Sequence, residues 1–191
     1  MRLFGATAII GCLICAPASH AGDETVHDRD HGFSLTYPRE WSNEAPSGDT
    51  MRLKIRSGEK GLTCRVSENL YDPSDPDNPP DPRTFIEKDW SLDEWQTMIG
   101  VAYRSASFSR DRLARFPDGY PVRIADMDFQ YADDNVSFHG HSRIALTLRR
   151  SHYGFVDCGV TAATAEETAR KWAPLADEAE KVVSSFVLDA D

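Results

Sequence analysis

The chain has 191 residues, of which 31 are acidic and 21 are lysine or arginine, so its formal net charge at pH 7 is −10. This length is typical of a single domain that buries a core of its own. Because an acidic chain without a basic stripe repels the phosphate backbone, the composition disfavours nucleic-acid binding.

Residues 1–21 have the pattern of a secretory signal peptide. Arg2 precedes an apolar run from Leu3 to Cys15, and Ser19-His20-Ala21 has the small-x-small form of a signal peptidase site. The run is too short for a permanent transmembrane anchor. We therefore predict that residues 22–191 form one exported domain, which is periplasmic or secreted.

The cysteines bear on membrane attachment and on a disulfide. Cys12, after Ile9-Ile10-Gly11, fits the motif of a lipid-modified cysteine, and only lipidation there would attach the protein to a membrane. Cys64 and Cys158 remain in the exported part. Because exported proteins fold in an oxidising compartment, this pair predicts one disulfide, and its spacing is too wide for a CxxC redox or zinc motif. Two unpaired buried thiols are the alternative.

Period-two alternation predicts the first strands. In GFSLTYPREW, residues 32–41, apolar and polar residues alternate until Pro38 ends the pattern before Trp41. Two further alternating stretches flank a turn at 57–61, which indicates an antiparallel hairpin. The predicted strands span 33–37, 51–56 and 62–67.

Residues 71–83, YDPSDPDNPPDPR, predict a surface loop, because prolines can neither join a sheet nor continue a helix. The loop carries Asp72, Asp75, Asp77 and Asp81. These carboxylates are candidates for binding a partner protein, since long irregular loops are often functional. They also suggest a calcium site, although the spacing of an EF-hand is absent. A solvated loop that resists strand pairing is the plainest interpretation.

A helical segment is predicted after this loop. Residues 81–100 indicate one helix or two short ones, with capping-box spacing at Ser91 and an apolar face that joins Leu92 to Trp95. Since Trp90 does not share a helical face with Trp95, we expect at least one of the two to be partly exposed. The tryptophans either belong to the core or line a ligand groove. They are Trp41, Trp90, Trp95 and Trp172.

The C-terminal half predicts a run of strands and a final helix. Three or four strands follow at roughly 104–116, 121–132, 136–149 and 152–162. Thr164 begins the last helix with a second capping box, and Pro174 interrupts its apolar stripe from Trp172 to Phe186. This order predicts an α+β fold, in which helices pack on an antiparallel meander.

His139 and His141 are the sharpest chemical feature of the sequence. They project from the same face of a strand with Cα atoms about 7 Å apart, a spacing that zinc or copper sites use. A third ligand could come from His152, from the HDRDH segment at 27–31, or from the aspartates of the proline-rich loop. The alternative is an ordinary exposed strand face, on which Arg143 would repel a cation.

The sequence has no motif of a hydrolase, a P-loop enzyme or a dinucleotide-binding enzyme. Asp126 and Asp128 could face one side of a strand as paired catalytic acids do. However, Met127 and Phe129 alternate with them, as in an ordinary amphipathic strand. We therefore predict a non-enzymatic protein without a cofactor.

The two ends of the exported chain together resemble one known family. GFSLTYPREW is similar to the opening strand of PsbP-like and DcrB-like proteins, and WAPLADEAEKVVSSF, residues 172–186, is similar to their closing helix. The resemblance implies an αβα sandwich around an antiparallel sheet. It also implies an accessory, binding or assembly factor without shared catalytic residues, although fold is a weak guide to function.

The prediction for function is thus a non-catalytic, exported binding or assembly factor that acts on another envelope or secreted protein. One alternative is a periplasmic protein that binds a small ligand or a metal. Another is an immunity-type protein that neutralises a toxin, because an acidic surface would attract a basic partner.

Overall fold

The computed structural model describes residues 22–133 and 136–190. The predicted signal peptide, residues 1–21, and the lipidation motif at Cys12 lie outside these residues. Within the described part, no helix has the length and apolar character of a membrane span.

The described chain alternates strands with short helices. The strands are β1 (Asp23–Asp28), β2 (Phe33–Pro38), β3 (Ser42–Glu44), β4 (Met51–Arg56), β5 (Thr63–Leu70), β6 (Ser105–Arg115), β7 (Pro121–Asp133), β8 (Val136–Leu148), β9 (His152–Ala162) and β10 (Val187–Leu188). The helices are α1 (Pro82–Thr84), which continues as a π-helical turn over Phe85–Asp89, α2 (Leu92–Met98), α3 (Ala165–Trp172) and α4 (Ala176–Ser184). Short 3₁₀ turns occupy Gly58–Lys60 and Gly100–Ala102.

The main sheet has seven antiparallel strands in the order β3-β4-β5-β9-β8-β7-β6. Strands β6 to β9 form a meander, since each pairs with its neighbour in the chain. The hairpin of β4 and β5 joins this meander through β9, so the segment with α1 and α2 connects β5 to the far edge strand β6. A separate three-stranded sheet pairs β1, β2 and β10.

Helices α3 and α4 pack on one face of the main sheet together with strand β2. The apolar stripe predicted from Trp172 to Phe186 is buried there, and the break at Pro174 separates α3 from α4. Thr164 caps α3 by accepting a hydrogen bond from the N–H of Glu167, as its capping-box spacing predicts. This first core also buries Phe33, Leu35, Trp41, Ile55, Cys64, Val66, Val156, Cys158, Val182 and Val183.

The segment with α1 and α2 packs on the opposite face of the sheet. Its Trp95 is fully buried, and its Trp90 is 8% exposed. This second core also contains Ile86, Met127, Phe129, Ile144, Leu146 and Leu148. A sheet covered by helices on both faces is the predicted αβα sandwich, and the predicted α+β class is confirmed.

The helical segment differs from its prediction in three details. Trp90 has an extended backbone, with φ −70° and ψ 138°, so the helical face restarts at α2 and turns Leu92 to solvent, where it is 51% exposed. The expectation that Leu92 joins the apolar face was therefore wrong, and so was the partial exposure expected of Trp90 or Trp95. Ser91 precedes α2 but makes no side-chain capping hydrogen bond.

Cys64 and Cys158 form a disulfide between β5 and β9. The two residues are direct cross-strand partners, with Cα atoms 4.0 Å apart, and both are buried in the first core. The alternative of two unpaired thiols does not describe this structure. The bond ties the N-terminal hairpin to the last long strand of the meander.

Candidate functional site

The structure brings His139 and His141 together in a groove beside helix α3. We call this the histidine groove, and its volume is about 550 Å³. Strands β6, β7 and β8 form its floor, and α3 forms one wall. The polar and aromatic lining comprises Ser105, Ser107, Asp128, Phe129, Gln130, His139, His141, Thr168 and Trp172.

His141 is held by contacts on two sides. Its Nδ1 lies 2.6 Å from Oδ1 of Asp128, its cross-strand partner on β7, and its ring centroid lies 4.6 Å from that of Trp172. Because the carboxylate accepts this hydrogen bond, the proton of a neutral ring is on Nδ1. The opposite nitrogen, Nε2, is buried and has no hydrogen-bond partner among the described residues.

The residues that the sequence suggested as a third metal ligand lie far from His139 and His141. His139 pairs with Ala162 at the end of β9, whereas His152 begins β9 at the opposite end of the sheet. The HDRDH segment ends at His31, and the next residue, Gly32, lies beside His152. A Cβ on Gly32 would be 3.7 Å from Nε2 of His152. The prediction that His152 or the HDRDH segment supplies a third ligand was therefore wrong.

The proline-rich loop also begins at this distant end, where the N–H of Tyr71 donates to Ser151. Across residues 22–133 and 136–190, no three histidine, cysteine, aspartate or glutamate side chains are placed to hold a metal ion together. Metal binding by His139 and His141 stays a prediction.

Asp126 and Asp128 do not act as a pair of similar acids. Asp126 is 3% exposed and accepts two hydrogen bonds from Arg143, at 2.7 and 3.0 Å. Arg143 also donates to Glu180 of α4 at 2.8 Å. The hydrogen bonding that Arg143 donates to Asp126 is the main reason that the pKa of Arg143 is raised. Asp126 is thus a structural counter-ion, while Asp128 points into the histidine groove.

The loop aspartates mostly hold the shape of the loop itself. Asp72 accepts hydrogen bonds from the N–H and hydroxyl of Ser74, which lower its pKa. Asp81 caps α1 by accepting from the N–H and hydroxyl of Thr84, and its pKa is lowered for the same reason. Asp75 accepts from the N–H of Asp77. These hydrogen bonds give Asp72, Asp75 and Asp81 structural roles in turns and in a helix cap. That the loop aspartates bind a partner stays a prediction.

A second cleft lies on the opposite face of the sheet, and the sequence did not point to it. We call it the aromatic cleft, and it consists of two adjoining cavities of about 580 and 730 Å³ that share Ala102 and Tyr103. It opens where the helical segment ends, because α2 packs on β6 and the π-helical turn packs on β7, leaving β5 and β9 less covered. Its aromatic and long apolar lining comprises Tyr71, Phe85, Met98, Ile99, Tyr103, Phe129, Tyr131, Leu146, Leu148, Tyr153 and Phe155.

The floor of the aromatic cleft contains two cross-strand polar contacts. Arg65 donates to Asp157 at 2.6 Å, and the charge of Asp157 raises the pKa of Arg65. Asn69 donates to the hydroxyl of Tyr153 at 2.9 Å. Burial raises the pKa of Tyr103, between the two cavities, to about 12. The floor is therefore pre-ordered, and Tyr103 stays neutral at physiological pH.

A partial sequence signal for this cleft exists in β9. Tyr153 and Phe155 alternate with Val156 and Cys158, so large aromatic side chains occupy the face opposite the disulfide. Alternation shows which face a residue occupies. It does not show whether a helix covers that face, which depends on where the α2 segment ends.

Comparisons with known proteins show likeness in structure. The chain matches no family model and no curated protein. The cyanobacterial PsbP protein (CyanoP) of Synechocystis is similar with a TM-score of 0.56 and 16% identity, covering 91% of this chain and 96% of that one. LpqN of Mycobacterium tuberculosis, described as involved in cell envelope biogenesis, has a TM-score of 0.46 and 13% identity, covering 88% and 91%.

A protein of Bacteroides thetaiotaomicron has a TM-score of 0.48 and 11% identity, covering 88% of this chain and 49% of that one. The likeness to cyanobacterial PsbP shows that this chain has a PsbP-like fold, which confirms at the level of fold the resemblance noted in its two end motifs.

Proposed function

We propose that this protein is an exported, non-catalytic binding factor that engages another envelope protein through the aromatic cleft. The observation that carries the proposal is the open cleft itself, where tyrosine, phenylalanine, methionine and arginine side chains surround a pre-ordered floor. These residue types are enriched in protein interfaces and in their energetic hot spots. A PsbP-like fold, together with the predicted signal peptide, agrees with this role.

Two buried carboxylates of the sheet, Asp126 and Asp157, are not available for acid–base chemistry. A general acid or base needs a free carboxylate or imidazole beside a reacting group. Asp126 is instead bound by Arg143, and Asp157 by Arg65. Both ion pairs stabilise the sheet, so we assign no reaction to them.

Site-specific photocrosslinking in the native cell envelope tests this proposal. A benzophenone amino acid at Tyr131, which lines the cleft, should give one discrete crosslinked protein that mass spectrometry can identify. The control carries the benzophenone amino acid in place of Asp177, which is exposed on α4. Crosslinks of equal yield from both positions, or none from Tyr131, would contradict the proposal.

The apolar half of the cleft favours a second candidate function, the binding of a small apolar ligand. Its volume of about 580 Å³ is in the range of ligand pockets, and Met98, Ile99 and Leu146 contribute to its lining. Native mass spectrometry of protein purified from its envelope should then show an adduct that Ile99→Trp, which fills the cavity, removes. A protein mass without any adduct would count against this candidate.

A further inference from the structure

The apolar half of the aromatic cleft, which is the cavity of about 580 Å³, carries negative charge without a counter-ion. Its lining includes two carboxylates, Asp77 of the proline-rich loop and Glu94 of α2, and no lysine, arginine or histidine among the described residues. Neither carboxylate forms an ion pair within the part of the chain that the structure describes. Because Glu94 is half-buried, salt and water screen its charge less than they screen a charge on an open surface. This half of the cleft is therefore complementary to a cation.

The other half of the cleft, which is the cavity of about 730 Å³, differs because its charges are balanced. Three of its four lining cations form ion pairs with carboxylates at 2.9, 2.6 and 3.2 Å: Lys60, Arg65 and Lys171. The fourth, Arg56, lies 3.8 Å from Glu44, which also pairs with Lys54. The exposed carboxylate of Glu59, in the same lining, offsets this additional cation. The unbalanced charge of the cleft therefore lies in the apolar half.

Aromatic rings line the same cavity as the two carboxylates. They are Tyr71, Phe85, Tyr103, Tyr153 and Phe155. The faces of aromatic rings attract ammonium and guanidinium groups. Met98 and Ile99 add apolar surface to the lining, against which the hydrocarbon stem of a long basic side chain can pack. The lining thus suits a group that has an apolar stem and a positive head.

Hydrogen bonds within the proline-rich loop hold Asp77 beside the cleft. The hydroxyl of Tyr71 donates to the carbonyl of Pro79, which also lines the apolar half. The N–H of Asp77 donates to Asp75 at 3.0 Å, which leaves the carboxylate of Asp77 available to a guest. Because the loop is ordered before a guest arrives, binding loses less conformational entropy.

We propose that the apolar half of the aromatic cleft receives an arginine or lysine side chain of the partner protein, flanked by apolar residues. Its charged head lies beside Asp77 and Glu94, and its stem contacts the aromatic lining. This inference rests on the proposed function, because it specifies the chemistry of the partner segment that the cleft binds. The two adjoining cavities together exceed the roughly 1,000 Å³ of a large small-molecule pocket, which favours a protein segment over a free organic cation.

Nuclear magnetic resonance titration of the exported, disulfide-bonded protein tests the proposal. The probe is a capped pentapeptide with the sequence alanine-leucine-arginine-leucine-alanine. We expect it to shift the amide resonances of Met98, Ile99 and Tyr103 with a Kd of about 1 mM or tighter. The control peptide carries citrulline, which has nearly the shape of arginine but no charge. It should bind at least about fivefold more weakly, because it loses the attraction to the carboxylates and to the aromatic faces.

Variants without the two carboxylates show whether these groups cause the preference for arginine. Asp77→Asn with Glu94→Gln should bring the arginine peptide to within about twofold of the citrulline peptide, whose own binding should stay the same. Asp23→Asn with Glu40→Gln makes the same change in net charge at exposed positions outside the cleft, and it should keep the preference. Equal effects of the two double variants would show that net charge alone attracts the peptide, and the proposal would be wrong.

Other results would also overturn the proposal. Equal binding of the two peptides, or no shift of residues 98–103 at about 1 mM, would show that this half of the cleft does not select a basic side chain. If acetyl-arginine amide binds as tightly as the pentapeptide, the occupant is a free organic cation and not a protein segment. The crosslink from Tyr131 decides separately whether the cleft binds a partner. A crosslinked partner segment without arginine or lysine would overturn this inference and leave the proposed function intact.

Discussion

Gly140 lies between the two groove histidines, and the ring of Phe129 occupies the space that a side chain there would need. A Cβ at this position would overlap the ring atoms of Phe129, its cross-strand partner on β7. The absence of a side chain therefore allows the second core to close beneath the histidine groove. Glycine is required at position 140 for space and not for backbone conformation, since the φ of Gly140 is not positive.

Gly140→Ala should accordingly destabilise the protein by about 2 kcal/mol, because Phe129 must shift within a packed core. Urea unfolding followed by circular dichroism measures the change. Gly22→Ala is a suitable control, since nothing lies within 4 Å of the corresponding Cβ. Equal stability of the two variants would show that the ring of Phe129 moves aside freely.

Asp118 links the β6–β7 turn to Arg149, which stacks over Tyr120. Burial alone would raise the pKa of Asp118, but the N–H of Tyr120 and the guanidinium of Arg149 lower it below its ordinary value of 3.8. Since the pKa is lower in the folded state, ionised Asp118 contributes stability above pH 3.8 and loses it as the pH falls through the folded pKa.

Asp118→Asn should therefore reduce the free energy of unfolding at pH 7, and the difference from the parent protein should shrink below pH 3.8. Urea unfolding of both proteins at several pH values measures this difference. Asp77→Asn, which makes the same charge change at an exposed position of the proline-rich loop, should have little effect at any of these pH values. A deficit for Asp118→Asn that stays constant with pH would contradict this assignment.

At the scale of elements, the strands were more predictable from the sequence than the helical segment. The strand pattern and the turn residues between the strands predict the bounds of β7 to β9 within a residue or two. The α1–α2 segment was harder to predict because the extended backbone of Trp90 resets the helical phase, so Leu92 lies at solvent. The capping-box spacing at Ser91 indicates that a helix begins there, but it does not show which face of that helix packs on the sheet.

The disulfide is the strongest single link between elements, since it closes a loop of 94 residues in sequence. Replacing Cys64 and Cys158 together by alanine should lower the free energy of unfolding by about 4 kcal/mol, chiefly by freeing the unfolded chain. Denaturation of the variant and of the oxidised parent protein measures the loss. The parent protein under reducing conditions is the control and should show a similar loss. If reduction leaves stability unchanged, the bond does not form in the native protein.

At the scale of the whole molecule, the end motifs were sufficient to predict the fold. The candidate site was predicted only in part. His139 and His141 do share a groove, but strand spacing cannot show which residues a distant part of the chain brings beside them. Asp128 is the actual neighbour of His141, through a pairing set by the register of β7 and β8. The aromatic cleft depends on how far the α2 segment extends over the sheet, which is a property of tertiary packing.

The mature form of the whole chain is directly measurable. We expect the exported protein to begin at Gly22, to carry no added acyl mass and to be two hydrogens lighter than its reduced sequence. Intact mass spectrometry of the protein from its native envelope checks all three. A mass that includes an acyl chain on Cys12 would instead establish a lipid-anchored form.

The pairing of β5 with β9 also sets the order in which this molecule can be completed. Strand β5 emerges from the ribosome long before its neighbour β9, to which the disulfide joins it across 94 residues. Until β9 appears, one side of the early hairpin has no partner, and contacts of such high sequence separation form slowly. The hairpin of β4 and β5 therefore gains its neighbour strand, and Cys64 its disulfide partner, only after residue 158 has been synthesised.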